Sequence, residues 1–164
     1  MIGSNSGKET KGGRKLKEID NIMKKAGIVS YGSIPFSSLS PLINCRNKGL
    51  IPENSRSVIL VLIPYNVGDF PKRNISKYAV SADYHLIARE LLGGICESLK
   101  ELFPGEKFQF FADNSPINEV DSALKANLGV LGKNGLLINK DFGSYVFIGE
   151  IVTTAEILPY KTEA

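Results

Sequence analysis

One acidic residue of this sequence stands where proton chemistry could take place. Asp113 directly follows a largely apolar run, Phe108 to Ala112, and precedes a Ser115-Pro116 pair that opens a helical pattern. A carboxyl group at the end of a strand can act as a general acid or base in a pocket at the edge of a sheet. The same spacing also fits an Asx turn before a helix that Ser115 caps, so residue type and spacing leave both interpretations open.

A glycine-rich turn that contains a lysine follows over residues 129–135. It is not a Walker loop, because Lys133 is followed by Asn134 rather than by serine or threonine. It is not a dinucleotide fingerprint either, because it follows a helical pattern and opens a strand. We therefore expect Gly129 to cap the helix and the other glycines to shape the turn into the sheet.

Few residues of the sequence could bind a metal. His85 is the single histidine, and Cys45 and Cys96 lie far apart. A structural zinc ion takes four protein ligands and a [4Fe-4S] cluster takes four thiolates, so neither fits this set. A serine triad would depend on His85, and no GxSxG elbow supports it. We predict no metal site, helix-terminal packing for the Tyr84-His85 pair, and buried apolar roles for both cysteines.

Length and composition indicate a single globular domain. The chain has 164 residues, of which 43% are hydrophobic, enough to bury its own core. Residues 1–27 carry seven Lys or Arg against three Asp or Glu, so this segment has a net charge of +4 and the remainder −1. The segment fits a solvated tail and helix face or a phosphate-binding stretch. No apolar run approaches the roughly 20 residues of a membrane span, and no secretory core follows Met1, so we expect a cytoplasmic protein.

Apolar periodicity predicts the elements that position these residues. Residues 1–13 are expected to be a disordered tail or a cloning remnant, and residues 14–164 a single α/β domain. The predicted helices run from Arg14 to Gly27, from Asp83 to Phe103 and from Ser115 to Leu128, and the predicted strands cover residues 28–34, 57–63, 108–112, 136–138 and 145–152. Residues 36–54 are predicted to be a loop with a helical turn. Because residues 57–63 are apolar on both faces, we place them in the middle of a mixed sheet flanked by helices.

Five short motifs occur in a fixed order along the chain. They are Tyr78-Ala79, Asp83-Tyr84-His85, Asp113-x-x-Pro116-x-x-Glu119, Gly129-x-x-Gly132-Lys133-Asn134, and the run from Gly143 to Glu150. No single motif is specific, but the ordered set resembles the N-terminal, cobalamin-binding domain of the epoxyqueuosine reductase family over about residues 14–164. The resemblance implies a fold akin to the nitroreductase- and flavin-reductase-like cobalamin binders, which cobalamin-trafficking proteins and reductive dehalogenases also use.

The resemblance also implies an activity and a set of site residues. The family finishes queuosine in tRNA by reductive removal of an epoxide oxygen, for which reduced cobalt supplies electrons and a nearby acid supplies a proton. That acid corresponds to Asp113. The positions implied to line the cobalamin are Arg46, Ser76, Leu137, Asn139 and Ile148. The predicted hairpin of residues 136–148 is expected to pack against the corrin.

Further partners are implied by the same resemblance. The family continues into a ferredoxin-like segment whose cysteines hold two [4Fe-4S] clusters, so we expect this chain to stop before an iron-sulfur domain of the same protein. We also expect tRNA as a partner, no membrane contact, and a monomer. Asn118 interrupts an apolar pair of the family pattern and Val120 replaces its arginine. These two departures leave the substrate open.

Three other functions fit the residues. A non-catalytic cobalamin carrier would bind the same cofactor without needing Asp113 as an acid. A flavin-binding reductase would share the general fold. A nucleic-acid-binding module would depend on the basic first 27 residues, and its affinity would fall steeply with salt.

Overall fold

Five strands form the central sheet. The protein is seen in a computed structural model that describes residues 11–65, 84–157 and 159–161. The strands of the sheet are β1 (Tyr31–Pro35), β2 (Ser57–Pro64), β3 (Phe108–Phe111), β6 (Val146–Thr153) and β7 (Tyr160–Lys161), while β4 (Val130–Leu131) and β5 (Leu137–Ile138) pair in a separate hairpin. The order in the sheet is β3-β6-β2-β1-β7, and each neighbouring pair is antiparallel.

Strands β2 and β6 form the middle of the sheet. Residues 57–62 of β2 are buried, because both faces of this apolar strand are covered. Strand β6 pairs with β2 along its whole length, from Thr153 opposite Ser57 to Val146 opposite Pro64. On its other edge β6 pairs with β3, where Glu150 lies opposite Phe111. These two sets of strand pairs fix the register of β6 relative to the end of β3.

Helices cover both faces of this sheet. They are α1 (Lys11–Lys25), α2 (Tyr84–Leu102) and α3 (Glu119–Lys125). Helices α1 and α2 pack on one face, where Met23, Leu92 and Ile151 belong to one apolar cluster. On the other face, α3 and the β4–β5 hairpin contribute Ala123 and Leu137 to a second cluster. None of the helices in the described ranges is long and apolar enough to cross a membrane.

The predicted α/β class, a sheet flanked by helices, is confirmed. Residues 57–63 lie in the middle of the sheet as predicted, and the long helix predicted from Asp83 corresponds to α2. All pairings among the described strands are antiparallel, a property that apolar runs alone do not encode. Ile87 near the start of α2 lies outside its buried face, since the residue is 45% exposed.

The predicted start of the third helix was wrong. Helix α3 begins at Glu119, and its N-cap is Asn118, whose Oδ1 accepts a hydrogen bond from the Asp121 amide at 3.1 Å. Ser115 is not a helix cap, because its Oγ accepts from the amide of Ile117 at 3.1 Å and closes a turn. The segment from Asp113 is therefore a turn of its own and not the start of the helix.

The predicted role of Gly129 was also wrong. The chain leaves α3 at Asn127, which takes the left-handed conformation with φ 56°. Gly129 instead meets strand β5, since a Cβ at this position would lie 2.5 Å from the carbonyl oxygen of Ile138. Glycine is required at this position by close backbone approach rather than by a helix cap.

Candidate functional site

Asp113 is exposed on the turn that follows β3. Its side chain is 50% exposed and its Oδ2 lies 3.7 Å from Nδ1 of His85. The Nδ2 group of Asn114 donates to the same oxygen at 3.3 Å. Asn114 has a φ of 50°, a left-handed conformation that asparagine tolerates well, and the chain therefore turns sharply directly after the aspartate. The carboxylate has no part in capping α3 and is available to a bound molecule.

A stack of aromatic rings holds His85 beside Asp113. The imidazole lies 4.0 Å from the ring of Tyr84, and Tyr84 stacks on Phe147 of β6 at 3.8 Å. Tyr65, directly after β2, also stacks on Phe147, at 4.3 Å. The pair Tyr84-His85 does form helix-terminal packing as predicted, but the same packing brings the only histidine of the sequence to the candidate acid.

The loop that carries Arg46 is tied to the same turn. The Ile43 amide donates to the Pro116 carbonyl oxygen at 2.7 Å, and the Cys45 thiol donates to the Asn114 carbonyl oxygen at 3.5 Å. Arg46 is exposed at the start of a short 3-10 turn, the helical turn predicted in this loop. Cys45 is only partly buried, so its predicted place in the core was wrong, whereas Cys96 is buried as predicted.

Two further carboxyl groups, those of Glu119 and Glu150, lie near the turn that carries Asp113. Partial desolvation raises the pKa of Glu119, and the nearby Asp113 carboxylate raises it further, although much of the Glu119 residue is exposed. Burial raises the pKa of Glu150 to about 8, the Ser115 hydroxyl opposes that rise, and Glu119 adds to it. Sequence reasoning did not single out His85, Glu119 or Glu150 as site residues. Their only signal was membership of the ordered motifs.

The predicted cobalamin-lining residues have different surroundings. The Leu137 side chain is 3% exposed and points into the core. Asn139 is buried and holds the β5 turn together: its Nδ2 donates to the Leu128 carbonyl oxygen at 2.8 Å, and its Oδ1 accepts from the amides of residues 141 and 142. Ile148 is partly buried at the edge of the same cluster. Ser76 lies outside the described residues.

The hairpin around Leu137 exposes apolar side chains to solvent. Four large residues of β4, β5 and their connection are at least 40% exposed: Val130, Leu131, Leu136 and Ile138. Val130, Leu136 and Ile138 share one face of the hairpin, which we call the hairpin apolar surface, while Leu131 lies on the other face with its partner Leu137. A groove of about 930 Å³ between α1 and α2 lies on the opposite face of the sheet and contains none of the predicted site residues. In the described part of the chain, no cluster of His, Cys, Asp and Glu is suited to a metal ion.

The fold of this protein is shared with a defined class of solved structures. An epoxyqueuosine reductase from Streptococcus thermophilus superposes with a TM-score of 0.75 at 21% identity, over 91% of this chain and 48% of that one. An epoxyqueuosine reductase solved with an epoxyqueuosine-modified tRNA-Tyr stem loop gives 0.73 at 20% identity, over 92% and 48%. The catabolic reductive dehalogenase NpRdhA gives 0.59 at 10% identity, over 94% and 21%. The architecture is thus the α/β domain common to these reductases.

Sequence comparison finds the same likeness among curated proteins. Residues 47–114 match the family model described as "Epoxyqueuosine reductase QueG, DUF1730". The epoxyqueuosine reductase of Synechocystis sp. is 39% identical over 109 residues, 63% of this chain and 37% of the relative, and that of Gloeobacter violaceus is 36% identical over 106 residues, 62% and 33%. These matches confirm the predicted resemblance: over the matched residues, this chain is similar in sequence to the epoxyqueuosine reductases. It spans about a third of the length of these relatives.

Proposed function

We propose that this chain is the cobalamin-binding part of an epoxyqueuosine-reductase-like enzyme and that Asp113 is its proton donor. The observation that carries the proposal is the state of Asp113, which is half exposed, faces His85 and takes no part in capping α3. Residue 113 also lies inside the segment that matches the family model. An exposed acid on a turn fixed from two sides is well placed to donate a proton to a bound substrate.

The hairpin apolar surface supports the choice of cofactor. A large, flat ring system needs a broad apolar contact. Four large apolar side chains of the hairpin are exposed and are not covered by other described residues. Leu137 and Asn139 support the surface from within, Leu137 by packing into the core and Asn139 by fixing the turn. Arg46 adds an exposed cation for the polar rim. Bound cobalamin supplies the electrons for epoxide opening.

The residues of the chain handle the proton. The protonated carboxyl group of Asp113 gives its proton to the oxygen of the opened epoxide, so one O–H bond breaks and another forms. His85 stands 3.7 Å from the Asp113 carboxylate and returns a proton to it when the imidazole is protonated. Stacking on Tyr84 keeps the imidazole in place.

The proposed substrate is a queuosine precursor carried by tRNA. Support comes from the relative that was solved with an epoxyqueuosine-modified tRNA-Tyr stem loop. The [4Fe-4S] clusters implied by the resemblance need more thiolates than the two cysteines of this sequence provide. We therefore assign the electron supply to an iron-sulfur domain outside residues 1–164.

Cofactor binding is tested directly by titrating cob(II)alamin into the purified chain and following its absorbance. We expect saturable binding. Absence of binding at high micromolar protein would remove the cofactor assignment, and a protein purified with a flavin spectrum would favour the flavin-binding reductase instead.

The role of Asp113 is tested by Asp113→Asn with chemically reduced cobalamin and an epoxyqueuosine-modified stem loop. We expect unchanged cobalamin affinity and a loss of epoxide consumption of about 10²- to 10⁴-fold, the range for removal of a general acid. The control is Asp20→Asn on α1, which should turn over like the unmodified chain. Equal turnover of Asp113→Asn and the unmodified chain would contradict the proton-donor role, and no turnover by either, with cobalamin bound, would favour the carrier.

A further inference from the structure

Glu150 is a buried acid in the middle of the sheet. The residue is 1% exposed, and neither carboxyl oxygen has a hydrogen-bond partner among the described residues. It lies on β6 between two paired strands, opposite Leu60 of β2 and Phe111 of β3. A carboxyl group in such a place strongly favours its neutral, protonated form, because burial penalises the charge.

The turn that carries Asp113 covers this carboxyl group. We define the Asp113 turn as residues 112–118, between β3 and α3. Ser115 of this turn faces Glu150 and lowers its pKa, although the contact falls short of a full hydrogen bond. The Ser115 Oγ is also fixed to the turn itself by the amide of Ile117 at 3.1 Å. The ladder between β3 and β6 ends at the pair of Phe111 and Glu150, so the turn begins directly beside Glu150.

The charges around Glu150 act against its ionisation. Glu119 at the start of α3 is the charged group that acts on it, and Asp113 in turn acts on Glu119. Lys125 of α3 does not offset them, because its ammonium group is bound to Asp121 at 2.7 Å and to the loop at Ser40. The strand partners of Glu150 are apolar. Because Ser115 of the Asp113 turn faces the carboxyl group, movement of this turn would admit water to an ionised Glu150.

We propose that Glu150 is a positioning residue for Asp113: in its protonated form it lets the Asp113 turn close over it, and loss of its proton to solvent opens the turn. Closure keeps the proton donor next to His85. Because opening hydrates the carboxyl group, the open turn releases the proton more readily than the closed turn does. Linkage then makes the closed turn most stable in acid and progressively less stable as the pH rises, until Glu150 titrates in the closed state.

The test is amide hydrogen exchange of residues 112–118 in this chain as a function of pH, corrected for the intrinsic exchange rate. Between about pH 5 and pH 8 we expect the protection factors of the turn to fall by up to about tenfold per pH unit and to level off above that. Glu150→Gln keeps the shape and stays neutral, so its turn should remain protected at every pH. Amides of β2 report global unfolding, which also hydrates Glu150, so they should show the same pH slope as the turn but at higher protection factors.

Three controls separate this mechanism from simpler ones. Glu119→Gln removes the neighbouring anion and should move the plateau to lower pH, whereas Glu97→Gln on the exposed side of α2 should leave the profile unchanged. If Glu150→Gln does not fold, the unmodified chain still provides a test by ¹³C titration of labelled glutamates. The titration midpoint of Glu150 must then coincide with the pH at which the protection factors of the turn level off. An ordinary carboxyl midpoint for Glu150, an unchanged pH response in Glu150→Gln, or protection factors in the turn as high as those in β2 would each overturn the proposal.

The inference takes from the proposed function only the identity of Asp113 as the donor. Exchange and titration need neither cobalamin nor turnover, so the two proposals fail separately. A chain that binds no cobalamin can still show the pH-dependent turn, and a pH-independent turn leaves cobalamin binding untouched.

Discussion

Three carboxyl groups near one turn have three different environments. Asp113 is half exposed, Glu119 is partly desolvated, and Glu150 is buried without a hydrogen-bond partner among the described residues. When neighbouring carboxyl groups have different environments, their pKa values differ, and enzymes commonly use such groups in different roles. The exposed group can exchange a proton with a bound molecule, while the buried group holds its proton at neutral pH. At the residue scale, burial decides the role more than residue type does.

The buried acid has a consequence for stability that depends on pH. Burial raises the pKa of Glu150 from its ordinary value of 4.5 to about 8. Between these values the folded chain retains a proton that the unfolded chain has lost, so stability falls as the pH rises from 4.5 to about 8 and is level above that. For Glu150→Gln we expect little difference near the lower value and a stability gain of at most roughly 3 to 5 kcal/mol near the upper one. Urea denaturation across this range measures the difference.

The control for this prediction is Glu97→Gln. Glu97 pairs with Lys100 on the exposed side of α2, so its removal should not produce a difference that grows with pH in this way. An offset between Glu150→Gln and the unmodified chain that is constant from acid to alkaline pH would show that Glu150 keeps an ordinary proton affinity.

At the scale of elements, the β4–β5 hairpin depends on close backbone contact. A Cβ at Gly129 would lie 2.5 Å from the Ile138 carbonyl oxygen, and one at Gly132 would lie 2.9 Å from the Ile138 Cδ1. Asn139 fastens the other end of the hairpin to the Leu128 carbonyl oxygen. The hairpin therefore cannot accommodate larger side chains at Gly129 and Gly132 without a shift of the backbone or of neighbouring side chains.

Gly129→Ala should destabilise the hairpin. We expect a loss of about 2 kcal/mol in the free energy of unfolding, since the obstructing atom belongs to the backbone and cannot rotate away. The matched control is Gly94→Ala in α2, where a Cβ would meet nothing within 4 Å. That variant should gain about 1 kcal/mol from helix propensity. Thermal denaturation of both variants measures the difference, and a Gly129→Ala chain as stable as Gly94→Ala would contradict the contact.

Elements with strong local patterns were predictable from the sequence. The run from Ser57 to Ile63 is apolar on both faces, which only a covered central strand satisfies, and the repeat of Leu92, Ile95 and Leu99 has helical spacing. The start of α3 was not predictable in this way, because Ser115 and Asn118 are both good N-caps and only the packed structure uses Asn118.

The site was predictable only where a residue acts locally. Asp113 follows a strand, and this position could be inferred from the pattern alone. The contact between His85 and Asp113 joins α2 to the end of β3, and the burial of Glu150 depends on β2 and β3 on either side of it. Such contacts between distant parts of the chain leave no periodic signal. The buried side chains of Leu137 and Asn139 likewise depend on how the hairpin packs.

At the scale of the whole molecule, the two faces of the sheet are covered unequally. One face carries the long helices α1 and α2, while the other carries the short α3 and the hairpin. The second face holds Asp113 at its edge and has the hairpin apolar surface exposed. Several exposed apolar side chains on one hairpin are typical of a binding surface. The proposed cobalamin would cover it.

Serine substitutions on this surface should weaken cobalamin binding without unfolding the chain. Val130 and Leu136 are 65% and 49% exposed, so replacing them removes little contact within the protein. Each serine substitution removes about 1 to 2 kcal/mol of binding free energy that apolar burial against the ring would supply. The Kd for cobalamin should therefore rise about 5- to 30-fold per substitution. Val29→Ser is the control, because Val29 is 66% exposed and precedes β1, away from the hairpin. If Val130→Ser and Val29→Ser bind cobalamin equally well, the ring does not rest on the hairpin apolar surface, and cofactor binding would have to be sought on another surface.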